Sequence, residues 1–422
     1  MAAIITDTNR LPATATLWKN LIADRHPELQ YHELLPAIPM SSAFKMTFDQ
    51  FLLLRVIWKQ AKSPADLWQE CTRGVYTTPE VAQQAKDFLS RVQSWKQYLD
   101  MIGNNTPFKK TSRVPKERPP MDVAVTNFPE RPQVFATALH QQRCCEKLRT
   151  PLDEDNLTSK VDVATAPPPQ SVSASMAALS INPQTPTRKQ VDDTDLADDF
   201  DFYVSQTPGT GYTDRLINLS PVAPISNEEA INYAAVEDEQ VVNSALISFL
   251  QSITLYHPYV QGEWDYFRHP FVMKSNLNAK IYEARVDGLF RTYGSSNPRM
   301  IVEVKPFLRY LSFPVLDKIR IQEGAQMASW IAQHPPVSKD RKTVFRRLLI
   351  SQDQNEIYIT VASFRSSYIN FVQGLGTGDT FLEMEEFGPF SLQDPGLMEA
   401  LSLTMLAFPL EGGILSSDLK VW

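Results

Sequence analysis

The chain has 422 residues, of which 43% are apolar, and a formal net charge of −7. This length exceeds what a single hydrophobic core usually covers, so about two folded units are expected. Three cysteines are too few for a disulfide framework or a four-ligand zinc site, which indicates a reducing compartment. The sequence lacks both an apolar run of membrane-spanning length and the features of a secretory signal, so we expect an intracellular protein, nuclear or cytoplasmic, with no membrane partner.

The acidic net charge does not exclude a protein that binds nucleic acid. Six aspartates and no basic residue lie between positions 191 and 203, and without them the net charge would be close to zero. A nucleic-acid-binding surface, which usually needs positive charge, is therefore disfavoured only mildly.

Residues 1–104 have the apolar spacing of helices and predict a separate N-terminal helical bundle. Thr47, Ser63 and Thr78 are predicted N-caps, and Pro64 suits a first helical turn. The aromatic residues of this segment are interpreted as core. The predicted helices cover residues 13–25, 47–58, 63 onward and 78–101.

Residues 105–225 are rich in Pro, Ser, Thr and Asp and predict a disordered linker, in which residues 134–148 favour a short helix. A basic cluster in this linker suits a nuclear address or a phosphate-contacting arm, and a plain solvated linker explains it equally well. The Asp-rich run 191–203 is a candidate protein-binding segment or an inert tether. The basic cluster comprises Lys109, Lys110, Arg113, Lys116 and Arg118.

Residues 226–422 alternate between helical and strand patterns and predict an α/β domain with a mixed sheet flanked by helices. A helix from Ser226 to Leu250 precedes a hairpin formed by strands 281–290 and 300–306. A helix follows over Asp317–Gln333, with Asp317 as its predicted cap. Strands at 343–351 and 357–363 and a helix at 396–407 complete the domain.

The hairpin carries the charged residues that suggest chemistry. Asp287 ends one strand pattern before a glycine, and Glu303 and Lys305 lie two residues apart on the next strand. The strand period places these two side chains on one face and Val302 and Val304 on the other. A surface ion pair is the ordinary explanation, but the rest of this strand is apolar, and buried Glu and Lys are rare without a role.

The element order, the acid on one strand and the Glu-Val-Lys on the next resemble the PD-(D/E)XK nuclease superfamily, most closely the fungal PD-(D/E)XK nuclease-like proteins. The resemblance covers roughly residues 226–410 and implies a restriction-endonuclease-like core. Val286 stands where the family name has proline. By resemblance, Asp287 and Glu303 are metal-binding acids, and Lys305 is the motif lysine. The acid on the preceding helix is Glu239 or else Glu237, and the polar residue of the following helix is Gln322 or Gln326. The segment Phe387-Gly-Pro-Phe390 also matches a segment found in family members.

The resemblance implies a Mg²⁺- or Mn²⁺-dependent enzyme that hydrolyses phosphodiester bonds in DNA or RNA. Asp287, Glu303 and Glu239 would hold the metal, Lys305 would lie beside the attacking water, and Gln322 would position Lys305 or bind the substrate backbone. The alternative is a non-catalytic interaction protein that keeps the nuclease fold as a scaffold and recruits partners through its bundle and acidic linker.

Overall fold

The protein is described by a computed structural model. No helix in the described part of the chain is both long enough and apolar enough to cross a membrane. The structure describes residues 10–26, 42–104, 134–145, 148, 227–255, 257–338, 340, 342–376 and 379–414, with the side chains of 134, 227–238 and 412–414 excepted.

A seven-stranded mixed sheet forms the centre of the fold. Its strand order is β1-β9-β8-β7-β6-β5-β2, and β3 and β4 form a separate two-stranded sheet. The β1–β9 and β6–β7 pairs are parallel, and the remaining pairs are antiparallel. The strands are β1 (Val56–Trp58), β2 (Gly262–Asp265), β3 (His269–Lys274), β4 (Lys280–Val286), β5 (Gly288–Thr292), β6 (Pro298–Lys305), β7 (Val344–Asp353), β8 (Glu356–Arg365) and β9 (Leu382–Ser391).

Helices cover both faces of this sheet, so the predicted α/β class is confirmed. One apolar cluster includes Val302 and Val304, and the other includes Ile301. The alternation arises because successive strand side chains point to opposite faces. The helices are α1 (Ala15–Arg25), α2 (Phe48–Leu52), α3 (Pro64–Thr72), α4 (Pro79–Arg91), α5 (Gln93–Gly103), α6 (Val134–Cys145), α7 (Asn227–Thr254), α8 (Phe313–Gln333), α9 (Ser366–Val372) and α10 (Pro395–Ile414).

The predicted hairpin is present, with one change at Asp287. Strands β5 and β6 are antiparallel, and Gly288 is paired with Val302. The expected first strand is divided at Asp287: β4 pairs with β3 in the small sheet, while β5 joins the large one. Asp287 therefore lies where the chain passes from one sheet to the other, and it is not within a ladder.

The expectation of a separate N-terminal bundle is wrong. The described residues up to position 148 and those from Ala234 onward belong to one compact unit. Strand β1 pairs with β9 in the large sheet, and apolar residues of α1 and α2 share a cluster with the sheet and α8. The N-terminal segment therefore completes the core of the C-terminal elements.

Several element boundaries also differ from prediction. The expected helix 47–58 stops at Leu52, because Arg55 has φ 54° and Val56–Trp58 are a strand of β-branched and aromatic residues. The expected helix 78–101 breaks at Val92, whose ψ is 102°. Helix α8 is capped by Ser312, and Asp317 lies within it. Its first turn contains proline, as helix starts tolerate.

The predicted short helix near 134 is present as α6, and Phe135 and Leu139 are buried in the main core. The remaining linker, including the basic cluster at 109–118 and the Asp-rich run 191–203, lies outside the described residues.

Candidate metal centre

Three carboxylates from separate elements converge at the junction of the two sheets. Glu239 comes from α7, Asp287 from the β4–β5 junction and Glu303 from β6. One oxygen from each lies within 4.8 Å of the others, and all three residues are buried. This is the one group of three or more His, Cys, Asp or Glu side chains with metal-ligand proximity in the part of the chain that the structure describes.

Backbone hydrogen bonds fix Asp287. Its N–H donates to the carbonyl of Val302 at 2.9 Å, and its Oδ2 accepts from the N–H of Val304 at 3.1 Å. A glycine follows because β2 passes closely: a Cβ on Gly288 would lie 2.7 Å from the carbonyl oxygen of Asp265. The Asp287 Oδ1 atom accepts from the guanidinium of Arg268 at 3.2 Å.

Glu303 is held by three donors. Lys305 forms a short ion pair with Glu303 Oε1, and the same oxygen accepts from Gln322 Nε2 at 2.7 Å. Gln326 Nε2 donates to Glu303 Oε2 at 2.6 Å and to the carbonyl of Arg285 at 2.7 Å. The helical step of four residues thus brings both predicted glutamines to one carboxylate, and Gln322 contacts Glu303 directly.

Lys305 is buried and charged. Burial acts to lower the pKa of its ammonium group, and the negative charges of Glu303, Glu239 and Asp287 outweigh it and raise the pKa above the ordinary range. Its Nζ also donates to the carbonyl of Val304 at 3.2 Å. At neutral pH this lysine is therefore a fixed cation beside the acids, and it cannot accept a proton.

Arg268, which the sequence reasoning missed, closes the site from the loop between β2 and β3. Its Nη2 lies 3.3 Å from Glu239 Oε2 and its Nε 3.2 Å from Asp287 Oδ1. Burial acts to lower the pKa of this guanidinium, and Asp287, Glu239 and Glu303 outweigh it, so the pKa is raised. A loop arginine has no periodic pattern, so no sequence signal distinguishes it.

Glu239, one of the two predicted helix acids, belongs to the acid cluster. Both residues lie in α7, but the side chain of Glu237 is outside the described part of the chain. One turn further along α7, Asn243 donates to the backbone carbonyl of Asp287 at 3.0 Å. The helix and the acid junction are therefore tied together beside the site.

A second charged cluster lies near Lys305, whose pairing partner on β7 is Asp353. Arg309 is fully buried and contacts Asp353 at 2.5 Å, Glu386 at 2.7 Å and Glu323 at 2.9 Å. Burial acts to raise the pKa of Glu386, and Arg309 and Arg320 outweigh it and lower the pKa to about 2. Arg309 is therefore the centre of a core ion-pair network and does not lie on the surface.

The donor set of the first cluster fits a hard divalent cation. Three carboxylates supply oxygen ligands of the kind that Mg²⁺ and Mn²⁺ prefer. The amides of Gln322 and Gln326 hold one of these carboxylates, and the Val304 N–H holds another, as supporting groups around metal ligands do. Neither a histidine nor a cysteine belongs to this group, which disfavours zinc.

Comparison with protein-family models, with curated proteins and with solved structures found no match.

Proposed function

We propose that this chain has a PD-(D/E)XK nuclease-like core and hydrolyses phosphodiester bonds in nucleic acid with Mg²⁺ or Mn²⁺. The observation that carries the proposal is the convergence of buried Glu239, Asp287 and Glu303, with Lys305 paired to Glu303. Four buried charges in one place are costly to a fold that gains nothing from them. Such clusters are concentrated at functional sites.

Each residue of the site has a distinct task in this proposal. Glu239, Asp287 and Glu303 would bind the cation, which supplies a nucleophile at neutral pH and stabilises the charge that develops on the phosphate. Lys305, held cationic by its neighbours, stabilises negative charge near the attacked phosphorus. Gln322 and Gln326 keep Glu303 in one orientation, so its geometry needs no rearrangement when substrate binds.

Lys305 cannot serve as the general base in its present state. Its pKa lies above the ordinary lysine range, so removing its proton near pH 7 is unfavourable. The proton lost by the attacking water would pass to a carboxylate or to solvent. We assign Lys305 an electrostatic and orienting role.

A cleavage assay tests the proposal. The full chain is incubated with supercoiled plasmid DNA, single-stranded DNA and RNA in Mg²⁺, in Mn²⁺ and in EDTA. We expect cleavage of at least one substrate that needs the cation. Asp287→Asn should slow it by at least about 100-fold, because several kcal/mol of Lewis-acid stabilisation are lost. Asp379→Asn is the matched control, since this aspartate is 63% exposed and pairs with Lys19 on the surface.

The same assay tests the rival scaffold role. If wild type, Asp287→Asn and Lys305→Met leave every substrate equally intact in both cations, the enzyme proposal fails. The charged cluster would then be a core ion-pair network in a protein that works by binding partners.

A further inference from the structure

We propose that Arg268 occupies the cation's place between two of the acids, that it leaves them when a divalent cation binds, and that it then contacts a substrate phosphate. The proposal rests on the function proposed above. Its basis is the identity of the oxygens that Arg268 engages and the exposure of its side chain.

Arg268 contacts carboxylate oxygens of two of the three clustered acids. Asp287 Oδ2 accepts from the backbone N–H of Val304, and Asp287 Oδ1 lies 3.2 Å from Arg268 Nε. Glu239 Oε2, on the other side of the site, lies 3.3 Å from Arg268 Nη2. A cation at a bonding distance of about 2 Å from both oxygens would lie within contact of the guanidinium and repel it.

Charge balance favours the exchange. The three acids carry three negative charges, and Lys305 with Arg268 supply two positive charges, so the site keeps one excess negative charge. Replacing the guanidinium by a divalent cation would neutralise the site. A buried or half-buried cluster gains from that neutralisation.

Arg268 is also far more exposed than Lys305. The Arg268 side chain is 52% exposed and lies in a loop, whereas the Lys305 side chain is 4% exposed on a central strand. Once displaced, its guanidinium remains within one side-chain length of the acids. A phosphate bound to the cation would present oxygens that suit its planar donors.

Mn²⁺ binding by the full chain tests the exchange without any need for turnover. Arg268→Gln should bind Mn²⁺ about tenfold more tightly than wild type in a calorimetric titration, because two partly exposed ion pairs no longer compete. Arg285→Gln is the matched control, since this arginine pairs with Glu283 outside the acid cluster and is 61% exposed. Its Mn²⁺ affinity should equal that of wild type.

The phosphate contact has a separate readout. In saturating Ca²⁺, Arg268→Gln should reduce the slope of log Kd against log salt by about 0.7 for a fluorescent single strand, because one phosphate contact is lost. Equal Mn²⁺ affinity in wild type and Arg268→Gln overturns the exchange, and an unchanged salt slope overturns the phosphate contact. If neither protein binds Mn²⁺, the proposed function fails instead.

Two exposed aromatic residues directly precede Arg268 in the chain. Tyr266 and Phe267 are 55% and 66% exposed, and their ring centroids lie 4.7 Å apart. They follow β2, whose Asp265 carbonyl abuts Gly288 beside the acid cluster. Two exposed rings in the loop that carries Arg268 suit a stacking surface for bases.

We infer that the substrate presents unpaired bases to Tyr266 and Phe267. Bases within a duplex have their faces covered by neighbouring pairs, whereas a single strand offers them to aromatic side chains. Stacking of this kind contributes about 1–3 kcal/mol for each base, which corresponds to at least about fivefold in affinity. This inference also rests on the proposed function.

Anisotropy titrations with labelled 12-residue single strands of DNA and RNA, and with a DNA duplex, test the inference in Ca²⁺. Tyr266→Ala with Phe267→Ala should weaken single-strand binding by at least about 20-fold and leave duplex binding within twofold. Tyr293→Ala is the control, because this residue is 56% exposed but follows the far end of β5, about 20 Å from Asp287 at the strand rise per residue. Equal losses of affinity for duplex and single strand, or no loss of affinity for either, overturn the inference. A variant that loses cleavage but binds single strands as wild type does also overturns it, and leaves the proposed function intact.

Discussion

Replacing Arg309 by methionine should destabilise the fold by about 3–5 kcal/mol at pH 7, because breaking a buried ion pair leaves charge without compensation. Arg309 is fully buried and binds three carboxylates, Glu323, Asp353 and Glu386, from three other elements. The arginine also lies 3.9 Å over the Tyr358 ring. Methionine keeps much of the volume and removes the charge, so the loss is electrostatic.

The loss should depend on pH with a definite sign. Arg309 acts to lower the pKa of all three carboxylates, so its removal raises their pKa values in the folded state. An acid with a raised folded pKa favours the folded state below its unfolded pKa and loses that contribution as pH rises through the folded value. The destabilisation should therefore shrink as the pH falls from 8 to 5.

Urea unfolding at pH 5, 7 and 8, followed by tryptophan fluorescence, measures this effect. Arg309→Lys should lower the free energy of unfolding by less than Arg309→Met does, because lysine keeps the positive charge even though it lacks the planar set of guanidinium donors. Arg285→Met, at an exposed pair, should change the free energy of unfolding by less than about 1 kcal/mol. A loss below 1 kcal/mol for Arg309→Met, or one that stays constant with pH, would refute the reasoning.

Three further changes address packing. Gly324→Ala should lower the melting temperature, because its Cβ would lie 2.8 Å from the ring of Phe51 and the N-terminal segment would have to shift; calorimetry measures this, and an unchanged or higher temperature contradicts it. Gly288→Ala should both lower the melting temperature and weaken Mn²⁺ binding, because its Cβ would lie 2.7 Å from the Asp265 carbonyl oxygen beside Asp287. An unchanged melting temperature together with an unchanged Mn²⁺ affinity would contradict this prediction. A fragment of residues 226–422 should lack cooperative unfolding by circular dichroism, because β1 and part of the core are missing, and co-expression with residues 1–145 should restore it; a sharp transition in the isolated fragment would contradict this.

Local pattern predicted much of the site. The strand period placed Glu303 and Lys305 on one face of β6, and the helical step placed Gln322 and Gln326 on one side of α8. Both interpretations agree with the hydrogen bonds at Glu303. These signals are short in range, so a single sequence carries them.

Long-range pairing was not predictable in the same way. Strand β1 has three residues and follows a helical pattern, and its strand identity depends on pairing with β9 more than 320 residues later. Arg309 has partners on α8, β7 and β9, and Arg268 meets acids from α7 and the β4–β5 junction. Partners chosen by the tertiary fold leave no periodic signal in sequence.

The most direct test of the site is anomalous X-ray diffraction from crystals of the full chain grown in MnCl₂. The proposed function predicts an anomalous peak within bonding distance of Glu239, Asp287 and Glu303, with the Arg268 guanidinium moved away from Asp287 Oδ1. Ordered carboxylates without a peak, and Arg268 still between Glu239 and Asp287 at saturating Mn²⁺, would contradict the account.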